Sequence, residues 1–282
     1  MSVRHTLRIR HHHQDYYKPA RRVCQENGGE SAIFRLDKHI KVRTYRQMLK
    51  KKEYRFGDGE YIEIEIYQDG RYGAPGRKRE PKRKPTPEQI QRQNQKNKEI
   101  RIRRYLRANF RKNDYWITGT YKRENRPASM EEAKKHLEKY RRKLRDRYRK
   151  AGMEFKYICC LEIGSRGGVH FHMVANRIEG GDLMISECWT HGHIHMTLLY
   201  EEGGFRELAE YIGKAGEEKY YTHSRNLIFP KLRIRRIRNR EWKRQPRPYK
   251  GYYVEKESVV AGNNPVTGKQ YMHYAMVRFR RD

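Results

Sequence analysis

The sequence predicts an α+β fold, an antiparallel central sheet with helices packed on it, and three observations carry that expectation. Gly164 to Gly168 interrupt two apolar runs within Tyr157–Asn176 (YICCLEIGSRGGVHFHMVAN), the pattern of a β-hairpin. Upstream, Ser129 and Glu132 form a capping box ahead of an apolar stripe, Ala133, Leu137, Tyr140, Leu144 and Tyr148, with Gly152 at the terminating position. Tyr115–Tyr121 (YWITGTY) reads as a further strand, so the order is strand, helix, strand, strand.

The chain divides into a basic N-terminal extension with β-strands at 1–85, a central domain at 86–230 and a basic C-terminal segment with a β-hairpin at 231–282. In the first part His11, His12 and His13 form a short run, and Tyr61–Tyr67 (YIEIEIY) alternates strictly, as a strand exposed on one side would. Glycine, proline and basic residues from Gly70 to Pro87 suit a solvated linker or an arm lying on phosphates.

Thr86, Pro87 and Gln89 then open a helix that reaches Phe110, polar in its early turns and apolar only at Ile102, Tyr105, Leu106 and Phe110. Asn113 and Asp114 supply the turn into Tyr115. After the hairpin, Asp182 to Trp189 reads as a short helix, Gly192 to Tyr200 as a strand, and Phe205 to Gly216 as a helix burying Phe205, Leu208, Ala209 and Ile212. Beyond Tyr220 basic residues interleave with aromatics, Trp242 among them, as on a nucleic-acid surface. Tyr252–Val260 and Gln270–Phe279 make a terminal hairpin. Its loop, Gly262 to Lys269, is no phosphate loop, because its glycine spacing is one residue too long and Gln270 stands where a Ser or Thr would hold Mg²⁺.

Charge points to a polyanion. Lys and Arg total 66 against 34 acidic residues, a net charge of +32, and 22 tyrosines against eight phenylalanines supply rings for stacking on unpaired bases. Neither a stretch of about 20 apolar residues nor a signal-peptide core appears, which predicts a cytoplasmic protein without a membrane partner. Cys24, Cys159, Cys160 and Cys188 lack Cys-x-x-Cys spacing and read as reduced core residues without disulfides.

The hairpin carries the candidate chemistry. Alternation puts His170 and His172 on one face, about 7 Å apart, with Val169, Phe171 and Met173 on the other. A turn centred on Arg166 sets Glu162 beside His170, at roughly 5 Å between Cβ atoms. Two histidines alone could be mere hydrogen-bonding surface residues, but with the facing carboxylate they make a candidate site for a divalent ion. His193 and His195 repeat the His-x-His pattern on a strand with no carboxylate at a matching register. Tyr211 lies on the border of its helix's apolar stripe, with Lys214 one turn further along the same edge.

These residues resemble the HUH endonucleases, in particular rolling-circle replication initiators of phages, plasmids and integrated elements. His170-Phe171-His172 fits the family's two-histidine motif, Glu162 its acidic ligand and Tyr211 to Lys214 its Tyr-x-x-Lys, while YWITGTY resembles its first motif with Gly119 replacing an aliphatic residue. Asn109, Phe110 and Ser224 to Leu227 resemble bacterial members. The resemblance implies a ferredoxin-like or RRM-like sheet with the histidines on its central strand. It further implies Mg²⁺ or Mn²⁺ on Glu162, His170 and His172, and a single catalytic tyrosine, Tyr211, aided by Lys214, that nicks and rejoins single-stranded or hairpin origin DNA. Host helicase and DNA polymerase are the implied partners. Two other readings compete: the same chemistry in mobilisation or transposition, and a noncatalytic nucleic-acid-binding protein whose affinity falls steeply with salt.

Overall fold

The computed structural model describes residues 49–68, 84–200, 202–214, 219–237 and 245–279. The His11–His13 run, Cys24, most of the Gly70–Pro87 stretch and Trp242 lie outside them. In chain order the described strands are β1 (Leu49–Phe56), β2 (Tyr61–Gln68), β3 (Tyr115–Tyr121), β4 (Tyr157–Ile163), β5 (Val169–Ala175), β6 (Gly192–Leu198), β7 (Tyr220–His223), β8 (Lys231–Ile237), β9 (Tyr252–Asn263) and β10 (Gln270–Arg278). The α-helices are α1 (Pro87–Asn109), α2 (Met130–Lys150), α3 (Gly181–Cys188) and α4 (Arg206–Gly213).

The fold is α+β, as expected, but it holds two antiparallel five-stranded sheets rather than one, ordered β6-β3-β5-β4-β7 and β8-β1-β2-β10-β9. The second sheet draws β1 and β2 from one flank of the sequence and β8 to β10 from the other. No local pattern announces that pairing.

In the first sheet β5 is central, and side-chain parity divides its residues between two cores. Phe171 and Met173 face α2, whose buried stripe is Ala133, Leu137, Tyr140, Leu144 and Tyr148, as the spacing predicts. Each large apolar side chain so buried stabilises the fold by about 2 kcal/mol. Ser129 accepts from the Glu132 N–H at 3.2 Å to start the helix. On the opposite face Ile158, Cys160 and Val174 pack against Ile102, Leu106, Ala209 and Ile212 of α1 and α4. Cys159, Cys160 and Cys188 are free and buried.

Gly119 has a steric reason. It pairs with Phe171 across the β3–β5 ladder, and a Cβ at Gly119 would overlap the Phe171 ring. The residue between the two histidines therefore anchors them from below, seated in space that only glycine leaves.

Thr86 and Gln89 close a reciprocal capping box on α1. This helix does more than dock by its end. One flank meets the first sheet through Ile102 and Leu106, while the other presents Arg104 to the second, at 2.8 Å from Glu63 Oε2 and 2.5 Å from Glu65 Oε1. Arg104 also lies 3.5 Å over the Tyr54 ring, and Arg107 3.4 Å over Tyr61. The expectation that β2 is exposed on one side is thus wrong: its Tyr/Glu face is covered by arginines, and Glu63 is 2 % exposed. Glutamates in an alternating strand read as solvated unless a buried cation is foreseen. No described helix is long and apolar enough to cross a membrane.

Candidate active site

The hairpin forms in the expected register. The Gly164 N–H donates to the Gly168 carbonyl at 2.9 Å, Gly167 takes a positive φ of 72°, and Glu162 pairs with His170 across β4 and β5. Glu162 Oε1 lies 3.2 Å from His170 Nε2 and 3.6 Å from His172 Nε2, and the two imidazoles stand perpendicular with centroids 4.9 Å apart.

Each histidine is oriented from behind. His170 Nδ1 lies 3.2 Å from the Gly168 carbonyl, which can only accept, so a neutral His170 keeps its lone pair on Nε2. His172 Nδ1 is 3.0 Å from the Thr118 hydroxyl, and its ring stacks on Trp116 at 5.2 Å and 8°. Burial, followed by the like charge of His170, pushes His172 down to about 4, so it is neutral at pH 7.

Two Nε2 atoms and a carboxylate oxygen, mutually within 4.8 Å, suit a divalent ion of intermediate hardness, and this is the one such cluster among the described residues. The second-layer bonds to Nδ1 are the kind that orient imidazole ligands. His193 and His195 lie on the same sheet face but on the edge strand β6, where their cross-strand partners are Thr120 and Thr118, not carboxylates.

Tyr211, on the last turn of α4, completes the cluster. Its hydroxyl lies 2.6 Å from Glu162 Oε1 and 2.7 Å from His172 Nε2, and its ring stands edge-on to Trp116 at 6.0 Å. Burial, then the hydrogen bond and charge of Glu162, raises the phenol well above its ordinary range.

Lys214 is not brought to this cluster. It follows the last residue of α4, its side chain exposed and its N–H bonded to the Glu210 carbonyl at 2.8 Å. The cation at the carboxylate is Lys219, which donates to Glu162 Oε2 at 2.8 Å and to the Tyr211 carbonyl at 2.7 Å, and lies 4.8 Å over the Tyr211 ring. Burial works to raise the Glu162 carboxyl, but hydrogen bonds from Lys219 and Tyr211 outweigh it and hold the acid below its usual range. Lys219 escapes sequence reading because its place depends on β7 pairing with β4, Tyr220 opposite Leu161, and no periodicity signals a four-residue edge strand. Trp116 and Thr118 had a signal, since they share strand parity with the predicted first motif.

Asn109 and the Ser224–Leu227 segment also find structural roles. Asn109 bonds both the N–H and the carbonyl of Ile228, at 2.8 Å each, and Ser224 Oγ accepts from the Tyr157 N–H at 3.1 Å.

No curated protein and no solved structure matches the chain. A family model for replication-associated proteins of the ORF2 type matches residues 114–216, which span β3 through α4 and contain Glu162, His170, His172, Tyr211 and Lys214. Over this stretch the chain is similar to proteins of DNA replication.

Proposed function

We propose that the protein is a rolling-circle replication initiator that nicks and rejoins single-stranded or hairpin origin DNA through Tyr211. The observation that carries the proposal is the phenol of Tyr211, 2.6 Å from Glu162 and 2.7 Å from His172, beside a carboxylate–imidazole cluster fit for a divalent ion. The family match over the same residues supports a role in replication.

In the proposed reaction the Tyr211 oxygen forms a bond to phosphorus while the bond from phosphorus to the 3′ oxygen breaks. A 5′-phosphotyrosine and a free 3′ hydroxyl result, the proton lost by the phenol balancing the one the departing oxygen gains. Because the phosphodiester energy is kept in the new ester, the reverse attack rejoins the strand. Mg²⁺ or Mn²⁺ held by Glu162, His170 and His172 would supply positive charge at the scissile phosphate. Trp116 and Thr118 hold His172, and Lys219 fixes the end of α4 and sets a cation over the ring that must become a phenolate. With no motor of its own identified in the sequence, the protein would rely on a host helicase and polymerase.

The test is transfer of label from an origin strand to the protein in the presence of Mn²⁺. The wild type should retain label on the 5′ end of the released fragment after denaturation, and Tyr211→Phe should bind the strand but form no adduct. An adduct that persists in Tyr211→Phe and disappears on substituting Tyr220 or Tyr221 would move the nucleophile; absence of any adduct in the wild type would overturn the enzyme assignment.

A further inference from the structure

On the far side of the β7 edge from the candidate site lies a groove of about 760 Å³ between α2 and the segment from Thr222 to Asn226. Its cationic lining is Arg141, Arg142, Arg145 and Arg149 from α2 and Arg225 beyond β7, against two carboxylates, Glu138 and Glu154. We infer that this groove is a binding tract for the sugar–phosphate backbone of single-stranded DNA, continuing the strand away from Tyr211; the inference rests on the proposed single-stranded substrate.

Three features of the fold carry it. The first is continuity. Lys219 holds Glu162 at 2.8 Å, and the next residue, Tyr220, begins β7 with Lys134 of α2 5.2 Å over its ring. Further along, Arg141 reaches Thr222 at 3.1 Å and Tyr157 at 2.7 Å, so α2 runs down the β7 edge away from the site end. A strand leaving the site around that edge meets Lys134 first and Arg149 last, a path of about 22 Å at the helical rise.

The second is periodicity. Lys134, Arg141, Arg145 and Arg149 lie on one flank of α2 at helical spacing, which lines their charges up along the groove rather than around the helix. The third is availability. Arg149 meets Asp146 at 3.1 Å and Arg142 meets Glu138 at 3.7 Å, both exposed pairs of neighbours on the same helix. Such pairs contribute little, so a phosphate can replace the carboxylate. Beneath them Phe155 and Tyr157 stack at 5.1 Å and Met153 lies exposed at 48 %, giving the sugar and base edges an apolar floor. A long, open, arginine-lined channel suits an extended polyanion better than a compact one.

The experiment compares two charge-matched pairs of substitutions in the full chain. Arg145→Gln with Arg149→Gln removes two charges from the groove, and Arg141 is left in place because it bonds Tyr157 and Thr222. Lys139→Gln with Lys143→Gln removes two charges from the opposite flank of α2, outside the groove. Binding to a fluorescent oligothymidine of about 30 nucleotides is titrated across salt, a length chosen to exceed one compact site.

The groove pair should weaken binding about tenfold at low salt and flatten the slope of log K against log salt by about 1.4, since each phosphate neutralised on a single strand contributes roughly 0.7. The control pair should lose less than about twofold. Equal losses in both pairs would mean that only the overall field attracts DNA, and no loss in the groove pair would empty the groove of its role; either overturns the inference. Label transfer to Tyr211 is scored separately, so a wild type that binds through the groove yet forms no adduct would cost the nicking proposal and leave the tract standing.

Discussion

The hydroxyl of Tyr211 lies 2.6 Å from Oε1 of Glu162, the same oxygen that approaches His170 and His172. The phenol therefore engages the atoms that an ion would use, and Tyr211 and the ion contend for Oε1 and for His172 Nε2.

Tyr211→Phe should then bind Mn²⁺ more tightly than the wild type even as it loses the adduct. Removing a hydrogen bond of about 1 kcal/mol that competes with the ion predicts a gain of about fivefold in affinity. Calorimetric titration with Mn²⁺ reads this without DNA. Unchanged or weaker binding would show that the phenol does not oppose the ion, and Glu162→Gln, which removes the carboxylate charge, should abolish binding in either background.

The two lysines near Tyr211 make separable predictions. Lys219→Met removes the ammonium that Glu162 Oε2 and the Tyr211 carbonyl share, so it should slow adduct formation at least about tenfold, the weight of one charge-assisted hydrogen bond. It should also tighten Mn²⁺ binding, since a competing cation has left the carboxylate. Lys214→Met, altering an exposed side chain after the end of α4, should do neither. Slowed adduct formation in Lys214→Met with normal chemistry in Lys219→Met would reverse the assignment and favour the lysine of the Tyr-x-x-Lys pattern.

Much of the first sheet was legible in the sequence because its signals are local. The α2 stripe, the capping boxes and the Gly-rich turn each lie within one element or one hairpin, and the turn sets the Glu162–His170 register. Lys219 and the second sheet were illegible for one shared reason. Both depend on pairing between segments far apart in the chain, β7 with β4 and β1 with β8, and short exposed strands such as KLRIRRI carry no period that names a partner. The buried face of β2 was misread because its cations come from α1, whose polar early turns suggested a helix docked only by its end.

That polar junction can be tested by stability. Arg104 is 7 % exposed and Glu63 2 %, so Arg104→Ala leaves a carboxylate buried without its cation. Breaking a buried pair from one side costs about 3–5 kcal/mol, and urea unfolding followed by far-ultraviolet circular dichroism should show it. The double variant Arg104→Met, Glu63→Met should recover most of the loss, because apolar replacement of both partners removes the uncompensated charge. A single-variant cost below about 1 kcal/mol would place the pair among ordinary surface bridges.

The last prediction concerns pH and lies next to the candidate nucleophile. Burial, and then the charge of Glu99 on α1, raises the carboxyl of Glu210 above its ordinary value of 4.5. For a carboxylate raised on folding, the native state holds its proton more tightly than the unfolded chain. The associated stability is complete below the unfolded value and is lost as pH rises through the native one. Glu210→Gln removes the ionisation, so the variant should melt above the wild type at pH 8, and the gap should close as the pH is lowered past 4.5. Melting curves of the two proteins across that range decide it: a difference that does not change with pH would mean that the charge of Glu210 does not oppose the packing of α4 on α1. Because Tyr211 follows directly in the chain, the stabilised variant also tests whether a more rigid α4 end, with the phenol still facing Glu162, leaves adduct formation intact.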